Sequence, residues 1–305
     1  MKAFQMNAPL RRKLQRSLVA YLILAPALAI ALLFVYYPSL YVLRLSFFDW
    51  DLISPTQTFV GFGNYLRLFA QGSDFWGSLF RTLEYCAIYI PLSMAFGLAL
   101  ASVLTRIKFL RGFFQSVFFI PSITSISVVS VVWSFIYNPQ IGPLNQFLAH
   151  IGVPAASIPQ WLNDPNLALP ALAITSAWQS LGFITLLFVA GLNNIPRSYY
   201  EAAAVDGATP WSNFWKITLP LLSPVTYFVV FMLLIDSFRV FGIVAIMTQG
   251  RPLGSTNVLL YYVYKSAFQF FDAGKASASS WIIFMIIMVA TLLQKNLGEK
   301  SVTYQ

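Results

Sequence analysis

Two ionisable residues stand where charge is costly. Asp236 and Arg239 interrupt an otherwise apolar stretch at 219–246. Three residues apart, they would share one face of a helix. Each would cost roughly 2.5–3.5 kcal/mol at the centre of a bilayer if left unpaired. Such groups either pair with each other or with a neighbouring subunit, or they line a path for a polar solute. A second candidate pair is Trp178 and Gln179, near the middle of another apolar stretch. An indole offers a flat apolar face for stacking, and a glutamine amide both donates to and accepts from hydroxyls. Ser122, Thr124, Ser125, Ser127 and Ser130 add hydroxyls in a third stretch, where small residues more often serve helix packing. All of this is the chemistry of binding and passage.

The residues for bond-making chemistry are missing. His150 is the only histidine and Cys86 the only cysteine, so a His-pair zinc motif and an intrachain disulfide are both excluded. No glycine-rich loop ending in Gly-Lys-Ser/Thr occurs, so the chain does not hold ATP in the usual way. No nucleophile elbow is present either. The expectation is a chain with no catalytic residue and no metal site.

The elements that must position these residues follow from composition. Hydrophobic residues make up 58% of the 305 and charged residues only 10%, against roughly 25% charged in a soluble domain. That leaves too little polar side chain to cover a water-facing surface, and the bilayer is the solvent that fits. A crossing helix needs roughly 20 apolar residues. Six stretches meet that need, at about 17–37, 83–104, 113–136, 168–190, 219–246 and 276–294. Several contain proline, which membrane helices tolerate because neighbouring groups satisfy the freed carbonyls. The first stretch is too long for a signal-peptide core and is read as an uncleaved span. A cytoplasmic segment at 1–16 precedes it, the six-span transmembrane domain runs over 17–295, and a cytoplasmic tail follows at 296–305.

Lys and Arg set the orientation. The N-terminus, the 105–111 and 191–216 loops and the tail together hold twelve of the nineteen basic residues; the opposite side holds six, and Arg239 lies between. The positive-inside rule then places both termini in the cytoplasm. This distribution also accounts for the net charge of +9 without any nucleic-acid partner. The outside loops, 38–81, 137–167 and about 249–275, are long and rich in aromatics. Loops of that length are uncommon unless they bind or pack on something.

Between spans four and five lies IPRSYYEAAAVDGATPWSNFWKITLPLLSP, residues 195–224. Pro196 suits a helix start, Glu201 to Ala204 favour helix, and Asp206-Gly207 signals a turn. Thr209 can cap a second short helix with Pro210 at its first position, and Trp211, Phe214 and Trp215 give that helix an apolar face. Such a unit serves either as a docking knob or as a connector lying on headgroups.

This segment resembles the EAA motif of ABC-importer permeases at Glu201, Ala202, Ala203, Asp206, Gly207, Ala208, Phe214, Ile217, Leu219, Pro220 and Pro224. Further stretches resemble the carbohydrate-type branch, the permeases of maltose and glycerol-3-phosphate systems. They include Phe59-Val60-Gly61, Asn64-Tyr65, Phe119-Ile120-Pro121, Trp161-Leu162, Ala190-Gly191-Leu192, Thr248, Gly250, Pro252, Thr256 and Ala267-Phe268. One departure stands out: Gly250-Arg251-Pro252 replaces the frequent Gly-Gly-Pro. The resemblance implies an all-α polytopic membrane protein of the type I ABC-importer permease fold, with six transmembrane helices and cytoplasmic coupling helices at 195–220. It implies a bacterial inner-membrane location and partners: a second homologous permease, two ATPase subunits and an extracytoplasmic solute-binding protein. ATP and Mg would be bound by the ATPase, with no cofactor in this chain. Glu201 would be the charged contact to the ATPase and Gly207 the turn between the coupling helices. The solute would be sugar-like: a di- or oligosaccharide, a glycosylated polyol or a glycerol-3-phosphate type. The competing reading is a secondary carrier or channel, which needs no ATPase and follows an ion gradient.

The orientation is testable by cysteine labelling in a Cys86→Ser background. An Arg12→Cys variant is expected to react with an impermeant reagent only in opened cells, and a Leu162→Cys variant in intact ones. Labelling of residue 12 from outside would overturn the assigned topology.

Overall fold

The computed structural model describes residues 21–107 and 109–301, with side chains as far as residue 295. The segment expected at 1–16, the first residues of the span expected at 17–37, and Lys108 lie outside the described residues. The tail expected at 296–305 enters them only as helical backbone to Ser301. In chain order the elements are α1 (Tyr21–Leu45), β1 (Phe48–Asp49), β2 (Thr58–Phe59), α2 (Gly63–Phe69), α3 (Asp74–Leu104), α4 (Arg111–Ile123), α5 (Ile126–Ile136) and α6 (Pro143–His150). They continue with α7 (Ala168–Asn194), α8 (Arg197–Val205), α9 (Pro210–Leu221), α10 (Ser223–Phe238), α11 (Gly242–Met247), α12 (Leu259–Tyr264) and α13 (Ala273–Ser301). The strands pair antiparallel, Phe48 opposite Phe59 and Asp49 opposite Thr58.

Among the described residues, four helices are long and apolar enough to cross a bilayer: α1, α3, α7 and α13 as far as Lys295. Two bent pairs also qualify if each counts as one crossing, which gives up to six. The stretch expected as one span at 113–136 is such a pair, with α4 and α5 meeting at 97°. Pro121 sits in the last turn of α4, and Thr124 and Ser125 are extended, with ψ of 138° and 135°. The stretch expected at 219–246 divides as well. The end of α9 meets α10 at 67°. Then α10 ends at Phe238, and Phe241 (φ −141°, ψ −58°) leaves helical geometry just before α11. The expected span at 83–104 starts earlier, at Asp74, because the Ser73 hydroxyl accepts from the Phe75 N–H and caps the helix there.

The centre of the molecule is the contact between α3 and α7. Tyr85, Tyr89, Ala101 and Leu104 of α3 are buried with Leu172, Ala173, Ala177, Ile184 and Phe188 of α7. Lipid tails are as apolar as leucine, so helices in a bilayer associate through close packing rather than through escape from water. Small residues permit that closeness. At Gly97 of α3 a Cβ would come within 2.6 Å of Ile184 Cγ2. At Gly182 of α7 a Cβ would lie 2.2 Å from the Phe118 carbonyl oxygen on α4. By contrast α1 has no buried stretch, and Leu22, Ile23, Ile30, Leu33, Phe34 and Tyr37 are exposed along it.

The long loops at one end are folded rather than loose. The buried Asn64 amide donates to the carbonyls of Ser46 (2.8 Å) and Phe48 (2.9 Å). Arg67 donates to Asn64 and lies 3.6 Å from Asp49 and 3.9 Å from Asp272. The Ala273 N–H reaches the Trp50 carbonyl at 2.9 Å, which fastens this hairpin to the start of α13. In the next loop the Trp161 indole donates to Asn145 at 2.8 Å, and the Asn145 amide donates to the Pro159 carbonyl at 3.1 Å.

A Gly182→Ala change should destabilise the protein by about 1–3 kcal/mol, the usual cost of overpacking, because the obstacle is backbone. Gly112→Ala, where nothing lies within 4 Å of the new methyl, should be close to neutral. Thermal unfolding of the detergent-solubilised protein separates the two; equal midpoints would show that α4 and α7 do not pack this tightly.

Candidate functional site

A cavity of about 440 Å³ opens beside the α3–α7 contact. From α7 it takes Ser176, Gln179, Ser180 and Phe183, which recur at i, i+3, i+4 and i+7 and so form one face. From α3 it takes Tyr85 and Tyr89, one turn apart, with rings stacked at 5.5 Å. Ser122 and Ile126 come from the two sides of the α4–α5 break, and Asp236 and Arg239 from the end of α10.

Gln179 has two tasks. Its side-chain amide donates to the Thr124 carbonyl at 3.2 Å, a group that the break leaves without a helical partner. Its backbone carbonyl accepts from the Ser122 hydroxyl at 2.8 Å, and that hydroxyl accepts from the Phe183 N–H at 3.2 Å. The Thr124 carbonyl at the bend is thus satisfied by α7, as irregular backbone at membrane depth requires, and the Ser122 side chain in return bridges two backbone groups of α7. The rest of the Gln179 amide faces the cavity.

Asp236 and Arg239 stand one turn apart at the end of α10 and line the same cavity. Asp236 is within α10, but Arg239 is its C-terminal cap, with φ −96° and ψ 5°. Both side chains are exposed to the cavity. No ion pair joins them among the described residues. The cavity therefore offers a carboxylate, a guanidinium, an amide and several hydroxyls. That set matches a polyhydroxylated solute, which presents both donors and acceptors.

Trp178 is not among the cavity residues. One step around α7 from Gln179, it is 40% exposed and packs edge-to-face on Trp133 of α5 at 5.5 Å. Tyr85, Tyr89, Ser176 and Ser180 are cavity residues that sequence reasoning passed over. The polar face of α7 at i, i+3, i+4 and the tyrosine pair at i, i+4 were the available signals.

The 195–220 loop forms a second site, at the other end of α7 from the folded loops. Residues 197–205 form α8, with Pro196 as its cap. The Ala208 N–H returns to the Ala203 carbonyl at 2.9 Å and the Gly207 N–H to the Ala204 carbonyl at 3.1 Å. That pair of bonds is the Schellman closure of a helix, which needs a left-handed residue after the cap. Gly207 supplies it, with φ +73°. Thr209 then caps α9, its hydroxyl accepting from the Ser212 N–H, with Pro210 in the first turn. Tyr200 and Thr218 hydroxyls, 2.9 Å apart, tie the two helices together. Glu201, Ala202 and Asp206 are exposed, whereas Ala203, Ala208 and Phe214 are half-buried. Phe214 turns toward Thr105 and Arg106 at the end of α3. Val205, Trp211 and Trp215 are left exposed, at 88%, 71% and 51%.

Relatives share this chain almost end to end. It is 38% identical over 283 residues to the probable ABC transporter permease protein YurN of Bacillus subtilis, covering 92% of this chain and 96% of that one. It is 31% identical over 293 residues to the trehalose/maltose transport system permease protein MalF of Thermococcus litoralis, covering 96% and 98%. Its fold matches a chain in the crystal structure of a bacterial ABC transporter involved in the import of the acidic polysaccharide alginate, with a TM-score of 0.83 and 22% identity over 97% of this chain and 100% of that one. Residues 90–301, which include both sites except for Tyr85 and Tyr89, match the family described as binding-protein-dependent transport system inner membrane component, and the chain belongs to that family.

Proposed function

We propose that this chain is the membrane-spanning permease subunit of a binding-protein-dependent ABC importer in the bacterial inner membrane. It forms half of a solute pathway and is not itself catalytic. It crosses the membrane six times, with α4–α5 and α9–α10 as bent crossings and both termini in the cytoplasm. A second homologous permease provides the other half of the pathway. Two ATPase subunits bind ATP and Mg, and an extracytoplasmic solute-binding protein delivers the solute.

The observation that carries this reading is the 195–220 loop. Three large apolar side chains stay exposed on a unit whose own hydrogen bonds already fix its shape. A connector resting on headgroups needs no Schellman closure and no hydroxyl tie between its helices. A rigid apolar knob suits a preformed groove on another protein, because little side-chain or loop entropy is lost on docking. In this reading Glu201, Ala202, Ala203, Asp206, Gly207, Ala208 and Phe214 build the coupling unit, with Glu201 as its charged contact. Gln179, Asp236 and Arg239 contact the solute, and Trp178 takes a place beside the pathway against Trp133. The solute is a sugar or sugar-like molecule. The relative named for trehalose and maltose supports that class, and so does the mixture of donors and acceptors in the cavity.

Two substitutions test the coupling. At φ +73° with nothing within 4 Å of the added Cβ, Gly207→Val meets no clash. Its cost is the left-handed backbone alone, about 1–2 kcal/mol for a side chain bearing Cβ, so the knob should shift while the chain stays folded. Glu201→Lys reverses an interfacial charge, which typically costs roughly 2–5 kcal/mol when a buried partner is left unpaired. Both variants should lose co-purifying ATPase and ATP hydrolysis stimulated by the binding protein. Full assembly and uptake by both would remove this loop from the mechanism.

The chain alone in liposomes should show no ATP-driven uptake of labelled sugar. Uptake driven instead by an imposed ion gradient would favour a secondary carrier.

A further inference from the structure

The departure at Arg251 lies in a second cavity that the coupling and solute reading does not use. About 390 Å³ in volume, it lies at the end of the molecule with the folded loops. Its polar lining comes from Ser134, Asn138, Asn163, Gln249 and Arg251. No carboxylate lines it. Asp164 follows Asn163, but its carboxylate accepts from the Asn166 N–H at 2.8 Å. Arg251 is exposed and makes no ion pair among the described residues.

Arg251 and Asn138 bring donors to it, the Asn163 and Gln249 amides bring both donors and acceptors, and the Ser134 hydroxyl already donates to the Ser130 carbonyl at 2.8 Å. Asn138 uses its side-chain oxygen to accept from the N–H groups of Gln140 (2.9 Å) and Ile141 (3.1 Å), which leaves its NH₂ unengaged. Tyr137 and Thr248 also border the cavity, but both hydroxyls are already held by carbonyls, Tyr137 by Ala171 and Thr248 by Val244. A guanidinium with amide donors around it and no competing carboxylate is a setting for an oxyanion.

The loop that carries Arg251 is held in place. Its N–H donates to the Thr248 carbonyl at 2.9 Å, and its own carbonyl accepts from the Thr256 hydroxyl at 2.8 Å. Farther along, the Asn257 amide reaches Ser78 (3.2 Å) and the Leu259 N–H reaches Thr82 (2.9 Å), both on α3. Gln249 and Leu253 have φ of +54° and +49°. Non-glycine residues occupy that region only where the surroundings hold them there.

The two cavities share helices. Ile126 of α5 and Ile243 of α11 line the inner one; Ser134 and Ile246 of the same helices line the outer one. At 1.5 Å per residue the outer cavity sits only about 5–12 Å farther along each helix. We propose that the outer cavity is a transit subsite for the oxyanion of the solute, a carboxylate or phosphate ester on a polyhydroxylated molecule, with Arg251 as its principal contact. The inference deepens the importer reading and rests on it only for the direction of travel.

The test is calorimetry on the purified transporter complex in low salt without ATP, using sodium galacturonate and glycerol 3-phosphate as probes and galactose and glycerol as their neutral counterparts. At least one anionic probe should bind more tightly than its neutral counterpart. Arg251→Gln should weaken it by about tenfold or more, the scale of one charge-assisted contact. Arg251→Lys should restore part of the affinity, and Asn138→Asp, which keeps the turn acceptor, should weaken it. Equal binding of charged and neutral probes, no binding of either, or affinity indifferent to Arg251 would overturn the proposal. Loss of the subsite with ATP-driven uptake of a neutral sugar intact would leave the importer reading standing, whereas failure of ATP-driven uptake with Arg251-dependent binding retained would do the reverse.

Discussion

The hydrogen bonds between α7 and the break in α4–α5 are the constraint around which the rest of the structure is arranged. A helix that turns through 97° leaves backbone groups without helical partners, and a bilayer supplies no water to satisfy them. Gln179 meets that need at the Thr124 carbonyl from within the protein, and the Ser122 hydroxyl in return engages the backbone of α7 at Gln179 and Phe183. The same bonds require α7 to lie beside the break, with a polar face in contact with it. Once a polar face exists at that depth, a polar cavity beside it follows at little further cost. The cavity is thus a consequence of how the bent crossing is stabilised.

Glycine at 97 and 182 makes this arrangement reachable. With a side chain at either position, α3 or α4 would stand farther from α7, and the 3.2 Å contact from Gln179 to Thr124 would open. Close packing and backbone satisfaction therefore depend on each other here. Neither would suffice alone, because packing between membrane helices gains nothing from excluding water and a single amide bond contributes only about 0.5–1.5 kcal/mol net.

How much could be read from the sequence follows from how local each signal is. The 195–220 loop was legible nearly to the residue, because caps, a Schellman glycine and a proline at the first helical position act within a few residues of chain. Apolar stretches were legible because length and composition alone decide them. The bends at Thr124 and after Phe238 were not. Proline and serine inside an apolar run are compatible with a straight membrane helix, and only α7 decides that Thr124 leaves it. The end of α10 at Arg239 was hidden for the same reason, although the i, i+3 spacing of Asp236 and Arg239 does bring both to the cavity. Trp178 and Gln179 looked equivalent as neighbours in sequence, yet one step around the helix sends one to Trp133 and the other to the cavity. Tyr85 and Tyr89 were hidden because aromatic residues in an apolar span are ordinary, and their role appears only when α7 brings serines and Gln179 opposite them.

The connectivity of the coupling loop has a mechanical consequence under the importer reading. The loop leaves α7 at Asn194 and returns through α9 into α10 at Ser223. These two points touch: at Gly191 a Cβ would lie 2.8 Å from Leu222 and 2.9 Å from Val225, and Ile195 and Leu222 are buried beside them. The knob is therefore a closed excursion from one tight crossing of two helices. Those helices carry Gln179 and Asp236, both of which line the inner cavity. A displacement of the knob cannot be absorbed by a slack connection, because its own turn is closed and its base is packed. Under the importer reading, a displacement of the knob would act on the α7–α10 crossing at Gly191 and so on the relative position of the amide and the carboxylate. In that reading the affinity of the cavity for a solute touching both groups would change with the crossing, and by linkage solute binding would bias the position of the knob to the same extent.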